Sequence, residues 1–403
     1  MLASHWITRI TLLTLAHVAG TVPIVSVMAM APVIRRDLDL SVTQIGLLVS
    51  GYYLAQTLGA VPAGGLVDRI GVGRALLVSH GLLMAGVLAM TQAETFSGAL
   101  IATVIMGFGY TIVNPATAKG ILTWFSSRRR ATAMGFKQTG VPVGGVLAAA
   151  NGALATVYPW QGLFAGVAGM IFINALLCLL LIEPLPGTRH TPLRTVLIEM
   201  LRVGRNPNIR VLFFANIPWN MGQASFFSYL TLFMREAAGA SQPAAGLVLG
   251  LAQISSALGR IGWGLISDTV FRGARKPVTV GLCGASAVLM LAMTAVTPGH
   301  GVWLGTLLAI GLGITIASYP TLAQTLAVES VKPEQSGAAI GYSLVGTSAG
   351  GVIGPPIFGA IVDATGNLAN GWIITAMFVL LGSVLVAISV RETRAGPGSG
   401  QAC

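Results

Sequence analysis

The chain has 403 residues, of which 54% are hydrophobic and only 9% are charged, whereas roughly 25% of residues are charged in soluble domains. Its mean hydropathy is +0.80. These values exclude an ordinary soluble domain and leave room for about a dozen membrane spans of roughly 20 residues each.

Apolar segments of spanning length predict an all-α integral membrane protein built from two halves of six helices. The first segment, residues 10–34, is too long for the apolar core of a cleaved signal peptide, so we expect a retained helix. A helical bundle follows because lipid cannot hydrogen-bond the backbone and because the segments are too long for barrel strands. The twelve predicted segments are 10–34, 42–66, 75–93, 97–125, 132–157, 160–182, 211–234, 244–267, 277–297, 301–328, 336–362 and 371–390.

The polar stretch after the sixth segment predicts the boundary between the halves. We expect an N-terminal bundle at 1–183, a cytoplasmic linker at 184–210, a C-terminal bundle at 211–391 and a flexible tail at 392–403.

Lysine and arginine residues predict the orientation in the membrane. With the N-terminus inside, 17 of the 23 basic residues lie on the cytoplasmic side, three lie outside and three lie within spans. This bias accounts for most of the net charge of +11, so a nucleic-acid partner is unnecessary. We expect a monomer in a bacterial-type inner (plasma) membrane, with both termini in the cytoplasm.

Cysteine spacing and nucleotide motifs argue against several other functions. Cys178, Cys283 and Cys403 have no ligand-like spacing, so neither a metal site nor a disulfide framework is indicated. The chain has no P-loop, which argues against an ATP-driven pump. We expect no cofactor, and a membrane enzyme or receptor ranks low because there is no soluble domain or catalytic dyad.

The two halves resemble each other in sequence. Residues 64–68, at the end of the second span, match residues 263–268, at the end of the eighth. Residues 133–136 match residues 339–342 with a similar offset. Matched halves of six helices are typical of transporters that bind their substrate between the repeats, near the middle of the membrane.

The segment GGLVDRIGVGRAL, from Gly64 to Leu76, resembles the signature of major facilitator superfamily transporters between helices two and three. The weaker copy GLISDTVFRGARK begins at Gly264 and has Thr269 where the family usually has arginine. The resemblance implies the major facilitator fold and a role in the inward–outward transition for these loops. The alternative is a helix-end cap with ordinary cytoplasmic charges. The implied switch residues are Gly64, Asp68, Arg69, Arg74 and Asp268.

Polar residues recur on one face of the two equivalent spans one and seven. Their helical spacing predicts a lined central cavity, and the alternative is hydrogen bonding that only holds the bundle together. These residues are Thr14, His17 and Thr21 in the first span and Asn216, Trp219, Asn220 and Gln223 in the seventh.

Three basic residues lie within spans and have no evident carboxylate partner: Lys119, Lys137 and Arg260. Burying an ionised group in the bilayer costs several kcal/mol, so a bound anion is expected to compensate their charge. The alternatives are that the lysines extend toward the cytoplasm and that Arg260 bonds to backbone carbonyls.

Two further resemblances bear on function. The segment GFKQTGVPVGG, residues 135–145, resembles the helix-five motif of antiporters, although Val141 separates the expected Gly-Pro pair. The segment GRIGWGLISD, from Gly259 to Asp268, is similar to helix eight of the oxalate–formate and monocarboxylate branches of the superfamily, in which an arginine binds the substrate carboxylate. The resemblance implies this role for Arg260.

We therefore predict a secondary transporter for a small organic anion, a mono- or dicarboxylate. His17 is the candidate for proton coupling, and proton symport, anion exchange and uniport stay open. The competing hypothesis is a multidrug or metabolite efflux antiporter, favoured by the helix-five segment and disfavoured by the absence of an evident acid within a span. The predicted substrate-binding residues are Lys137, Arg260, Lys119, Asn114, Asn216, Trp219, Asn220, Gln223 and Tyr319.

Overall fold

The computed structural model describes residues 6–183, 193–332 and 335–391, and its regular structure there is helical. The predicted tail at 392–403 lies outside the described residues. The N-terminal half contains α1 (Trp6–Ala29), α2 (Ala31–Asp37), α3 (Val42–Ile70), α4 (Val72–Thr91), α5 (Phe96–Trp124), α6 (Ser127–Gln138), α7 (Gly140–Leu154) and α8 (Trp160–Cys178).

A short helix in the linker separates this half from the second. The linker helix is α9 (Leu193–Val203), and the C-terminal half contains α10 (Pro207–Glu236), α11 (Gln242–Thr269), α12 (Arg275–Met293), α13 (Gly301–Ile314), α14 (Tyr319–Glu329), α15 (Ser336–Thr365) and α16 (Leu368–Ser389). The seventh span thus begins at Pro207, four residues before its predicted start.

Side chains at the helix starts fix several of these boundaries. Ser41, Thr95 and Ser241 each accept a hydrogen bond from the backbone N–H three residues later, which satisfies one of the free donors of a first helical turn. At Ser41 the partner Gln44 bonds back to the Ser41 backbone and completes a capping box.

Nine of the described helical segments are long and apolar enough to cross a membrane by length and composition. The helices α3 and α10, with 29 and 30 residues, and the consecutive pair α6–α7 complete the twelve spans. The predicted fold, two pseudo-symmetric bundles of six helices, is confirmed.

Three spans predicted as continuous helices are interrupted, at Met30, at Thr139 and at residues 315–318. A proline follows each interruption by two or three residues: Pro32, Pro142 and Pro320. Proline has no N–H to donate and its ring clashes with the carbonyl four residues earlier, so the helix restarts there. The first span therefore ends at Ala29, and the remainder of its predicted range forms part of the short helix α2.

Two seams join the halves, one between α7 and α11 and one between α3 and α15. Their glycines lie in near contact with the opposite backbone. A Cβ atom added at Gly246 would lie 2.8 Å from the Ala153 nitrogen, and one added at Gly46 would lie 2.6 Å from the Pro355 oxygen. Small residues let membrane helices approach this closely.

The seams close only one side of the molecule. We name the side that holds Trp6 and Arg391 the terminal side, and the opposite one the distal side. Gly246 and Gly46 lie toward the distal side, whereas Cβ atoms added at Gly64, Gly135 or Gly264, on the same interface spans toward the terminal side, would meet nothing within 4 Å. The bundle is therefore closed on the distal side and splayed on the terminal side.

Side chains of the C-terminal half bond to free backbone groups at the distal end of α1. The last carbonyls of a helix have no partner within it. Thr231 donates its hydroxyl to the Met28 carbonyl at 2.6 Å, and Gln242 donates to the Ala29 carbonyl at 3.1 Å. The Met28 carbonyl is also the one that Pro32 leaves without its usual helical donor.

The first turn of α3 receives a similar cap from the other half. The Asp363 carboxylate of α15 accepts hydrogen bonds from Val42 N at 2.9 Å, Thr43 N at 2.8 Å and the Thr43 hydroxyl at 2.6 Å. A carboxylate at a helix N-terminus is favourable because it faces free N–H donors and the positive end of the helix dipole. The ion pair of Arg35 with Glu236 lies on the same side.

Replacing Asp363 with Asn is predicted to weaken distal closure, because the amide has one acceptor oxygen where the carboxylate has two. We expect thiol labelling of a Ser50→Cys reporter, which lies within the α3–α15 seam, to accelerate roughly tenfold, equivalent to about 1.4 kcal/mol. A membrane-impermeant reagent applied from the distal side measures the rate.

Glu94→Gln is the matched control, since Glu94 lies in an exposed distal loop before α5. An unchanged labelling rate in the Asp363 variant would show that this cap does not keep the distal side closed.

Candidate functional site

Lys137 forms the centre of a buried polar cluster in the N-terminal half. It lies in the last turn of α6, just before the break at Thr139, and is only 2% exposed. Its ammonium group donates to Asn114 Oδ1 at 2.9 Å and to Thr117 Oγ1 at 3.2 Å. Both acceptors are neutral, so the hydrogen bonds of this ammonium among the described residues include no carboxylate.

His17 of α1 joins the same cluster through the Thr117 hydroxyl. Its Nε2 lies 3.0 Å from Thr117 Oγ1, and its ring packs edge-on to Tyr110, with the ring centroids 6.5 Å apart. The start of α7 packs closely against His17, because a Cβ added at Gly140 would lie 2.7 Å from His17 Cβ. The glycine of the helix-five segment therefore allows close packing against α1.

Arg260 of α11 forms the second positive centre, in the C-terminal half. Its Nη2 donates to the Ala317 carbonyl at 3.3 Å, and its buried Nε has no hydrogen-bond partner among the described residues. The Ala317 carbonyl lies in the break between α13 and α14 and also accepts from Gln223 and Ser256. Arg260 thus makes the backbone contact that was expected as an alternative and, within the described part of the chain, keeps donors free for a further acceptor.

The two cations lie at a similar depth on facing helices. Gln253 of α11 contacts Gly145 of α7 in the distal half of the seam. From that contact, Arg260 is seven residues further along α11 and Lys137 is eight residues back along α7 and α6. At 1.5 Å per residue, both lie roughly 10–12 Å from the contact toward the terminal side.

Tyrosines of both halves lie near the second positive centre. They are Tyr110 of the N-terminal half and Tyr319 of the C-terminal half, which also contains Arg260. The Tyr319 hydroxyl is buried and makes no hydrogen bond of normal geometry within the described part of the chain. Hydrogen bonds and ring packing thus link Lys137 with Thr117, His17 and Tyr110.

The predicted polar residues of the seventh span face neighbouring helices of the C-terminal half. Asn220 donates to the Thr347 carbonyl at 2.6 Å, and Trp219 donates to Ser383 at 3.2 Å and packs edge-on against Tyr319. In this conformation their hydrogen bonds join helices within the C-terminal half. This corresponds to the alternative to a lined cavity that was considered for these residues. Asn216 is buried beside them.

Lys119 does not join the cluster around Lys137. It forms an ion pair with Asp68 of α3 at 2.7 Å and donates to the Val67 carbonyl at 3.3 Å. The expectation that Lys119 lacks a carboxylate is therefore wrong. Asp68 and Lys119 are 51 residues apart in sequence, so only the packing of α3 against α5 brings them together.

The remaining switch residues lie near this ion pair and at its counterpart in the C-terminal half. Arg74 donates to the Glu183 carbonyl at 3.1 Å, and Arg69 is exposed. In the second half Asp268 pairs with Arg275 at 2.5 Å, and Arg275 also pairs with Glu329 at 3.3 Å. Both signature loops therefore hold an acid-base pair within their own half.

Several residues of this site carry no signal in the sequence. Thr117 and Tyr110 lie among many hydroxyl side chains in spans, and nothing distinguishes them before α1 and α5 are packed. The Ala317 carbonyl becomes an acceptor only because the tenth span is interrupted. The sign of that interruption in the sequence is Pro320, which follows the stretch Thr-Ile-Ala-Ser-Tyr.

The site offers two kinds of cationic hydrogen-bond donor. Arginine presents a planar fork that matches a carboxylate, and lysine presents a compact point charge. Among the described residues, no group of three or more His, Cys, Asp or Glu side chains could hold a metal ion.

A family model and known proteins agree with this architecture. The model described as Major Facilitator Superfamily matches residues 12–327 and 273–401. The hexuronate transporter of Bacillus subtilis (strain 168) is 26% identical over 396 residues, which cover 92% of each chain. The multidrug resistance protein MdtG of Enterobacter lignolyticus (strain SCF1) is 27% identical over 361 residues, covering 87% of this chain and 83% of the relative.

Solved structures share the fold. The crystal structure of a bacterial homologue of the human lysosomal transporter Spinster, inward-facing and unoccupied, superimposes with a TM-score of 0.79. It covers 96% of this chain and 97% of its own, with 17% sequence identity. At this identity the likeness concerns the fold alone.

The Asp68–Lys119 pair yields a prediction for stability. Asp68→Asn and Lys119→Gln each leave one half-buried charge unpaired, so each is expected to destabilise the protein. In the double variant neither charge remains, and part of the loss is recovered, giving a coupling energy of about 1 kcal/mol. Thermal unfolding of the four purified proteins measures this coupling, and strictly additive losses would contradict the pairing.

Proposed function

Because the chain belongs to the Major Facilitator Superfamily, we propose that it is a secondary transporter that carries a small organic anion by alternating access. The proposed substrate is a mono- or dicarboxylate. The observation that carries the proposal is the pair of cations, buried Lys137 and half-buried Arg260, which lie on facing helices of the two halves and have no carboxylate among their hydrogen-bond partners in the described part of the chain.

The charge of these residues needs compensation. Two cations in a medium of low dielectric constant lose hydration and repel each other, and neutral acceptors offset only part of that cost. A carboxylate between them would gain from both. It would also favour the conformation in which the halves are closest around it, which is the differential affinity that a conformational change requires.

One relative supports a carboxylate substrate. A protein named a hexuronate transporter matches over nearly the whole length of both chains. Hexuronates combine one carboxylate with several hydroxyl groups. Arg260 and Lys137 could hold the carboxylate, and Asn114, Asn216 and Tyr319 could bond to the hydroxyls.

The described conformation corresponds to one end of the proposed cycle. With the terminal side in the cytoplasm, as the basic loops predict, it is an inward-open form in which the distal cap and seams exclude the outside. We propose a bacterial inner membrane, a monomeric unit, and coupling to protons or to a counter-anion.

Efflux of drugs is the second candidate function. It is favoured by the similarity to a multidrug resistance protein over 87% of this chain. The described residues contain no carboxylate at the level of Lys137 and Arg260, whereas a lipophilic cation would need a negative or neutral site there. The buried positive charge therefore favours the anion.

Thermal stabilisation of the purified protein separates these candidates, since a ligand that binds the folded state raises its stability by mass action. The panel contains D-glucuronate, lactate, succinate, phosphate and tetraphenylphosphonium. We predict that a carboxylate stabilises the parent, by about 2.7 kcal/mol at a hundredfold excess over its Kd. Arg260→Ala and Lys137→Ala should lose at least nine-tenths of this effect.

Arg235→Ala is the control, because Arg235 is a basic residue on the distal side that bonds to the Ala240 carbonyl. Two results would refute the anion site. One is stabilisation by the lipophilic cation alone, and the other is an undiminished carboxylate response in both Arg260→Ala and Lys137→Ala.

A further inference from the structure

The hydroxyl group of Thr117 connects three elements of the site and has a single proton. Thr117 is fully buried in α5. Its hydroxyl donates to the Val113 carbonyl at 2.7 Å, the usual back-bond of a threonine in a helix. The same oxygen lies 3.2 Å from Lys137 Nζ and 3.0 Å from His17 Nε2.

This geometry favours the tautomer of His17 that carries its proton on Nε2. The lysine ammonium can only donate, and the Thr117 hydroxyl has backbone carbonyls as acceptors at 2.7 Å and 3.1 Å, so Thr117 Oγ1 is placed to accept from both side chains. In this tautomer His17 donates from Nε2. Its other nitrogen, Nδ1, is left with a free electron pair, and it is buried without a hydrogen-bond partner among the described residues.

Among the described residues, the groups around His17 are basic or neutral. Lys137 faces it from α6 through Thr117, Tyr110 faces it from α5, and Arg260 of α11 lies near Tyr110. The helix α7 has no titratable residue. On α4, His80 bonds to its own helix through the Leu76 carbonyl.

We propose that Nδ1 of His17 is the binding site of the coupling proton and that the proton and the substrate anion bind together. This inference rests on the proposed anion transport. A proton from the aqueous side adds to the free electron pair of Nδ1, and no other bond is broken. The resulting imidazolium still donates from Nε2 to Thr117.

Binding of the anion follows from the charges. The protonated ring places a second positive charge beside Lys137, joined to it by one hydroxyl oxygen, and like charges at this separation repel. The ring also gains a new donor, Nδ1–H, which needs an acceptor. A carboxylate supplies the acceptor and the compensating charge, so a monocarboxylate would move with one proton as a neutral unit.

The first test needs no substrate. We would label the histidines of the full-length protein with ¹⁵N in nanodiscs and identify the His17 signals by their loss in His17→Gln. The expected result is a neutral ring protonated at Nε2. The shape-matched Thr117→Val variant should lose this preference, and Thr117→Ser, which keeps the hydroxyl, should retain it.

The second test measures coupling in proteoliposomes with radiolabelled D-glucuronate. A pH gradient, alkaline inside, should drive accumulation by the parent. In His17→Gln we expect the ratio of gradient-driven accumulation to tracer exchange to fall at least tenfold. His300→Gln, in an exposed distal loop, should behave like the parent.

Two results would overturn the proton site: a resting His17 ring protonated at Nδ1, or gradient-driven accumulation by His17→Gln at the parental ratio. If the parent neither binds nor exchanges D-glucuronate or the other carboxylates of the panel, the substrate class fails instead. The ¹⁵N spectra then still decide the protonation of His17.

Discussion

The placement of positive charge inside the spans, with no carboxylate bonded to it among the described residues, is the constraint on which this structure depends. Lys137 is buried and Arg260 is half-buried, and their hydrogen bonds go to neutral oxygens. A protein can tolerate such groups when a ligand restores the missing charge for part of a cycle. The site then stores a free-energy difference between its empty and occupied forms, which is what a transporter needs in order to move.

The contacts at the interface between the halves differ between the two sides of the molecule. On the distal side, side chains such as Asp363 and Thr231 satisfy backbone groups that helix ends leave free in the opposite half. When this side opens, those hydrogen bonds are exchanged for hydrogen bonds to water. The free-energy difference between the open and closed distal side can therefore be small. On the terminal side, the acid-base pairs of Asp68 and Asp268 lie within one half each. They do not bridge the opening between the halves on this side, which we call the terminal mouth.

Much of this architecture could be predicted from the sequence, because hydropathy, the half-repeat and the signature loops are all properties of short segments. The superfamily resemblance and the all-helical fold are confirmed. The three interruptions were missed, although Pro32, Pro142 and Pro320 mark them, because prolines such as Pro115 and Pro218 lie inside continuous helices of the same chain. Local sequence does not tell which proline breaks a span.

The details of the site depended on contacts between distant segments. Lys137 and Arg260 stood out because charge in a span is rare. Lys119 stood out for the same reason, yet its partner Asp68 becomes visible only when α3 and α5 are packed. Thr117 could not be singled out at all, since its importance lies in the two side chains that share its oxygen.

An anion held by both halves is expected to draw the two halves together on the terminal side. Spin labels at Thr132→Cys on α6 and Thr269→Cys on α11, both exposed on the terminal side, report the width of the mouth by pulsed electron resonance. Addition of saturating D-glucuronate should shift the distance distribution toward shorter values in the parent and leave it unchanged in Arg260→Gln. An equal shift in that variant, or no shift in a parent that demonstrably binds the anion, would contradict the account.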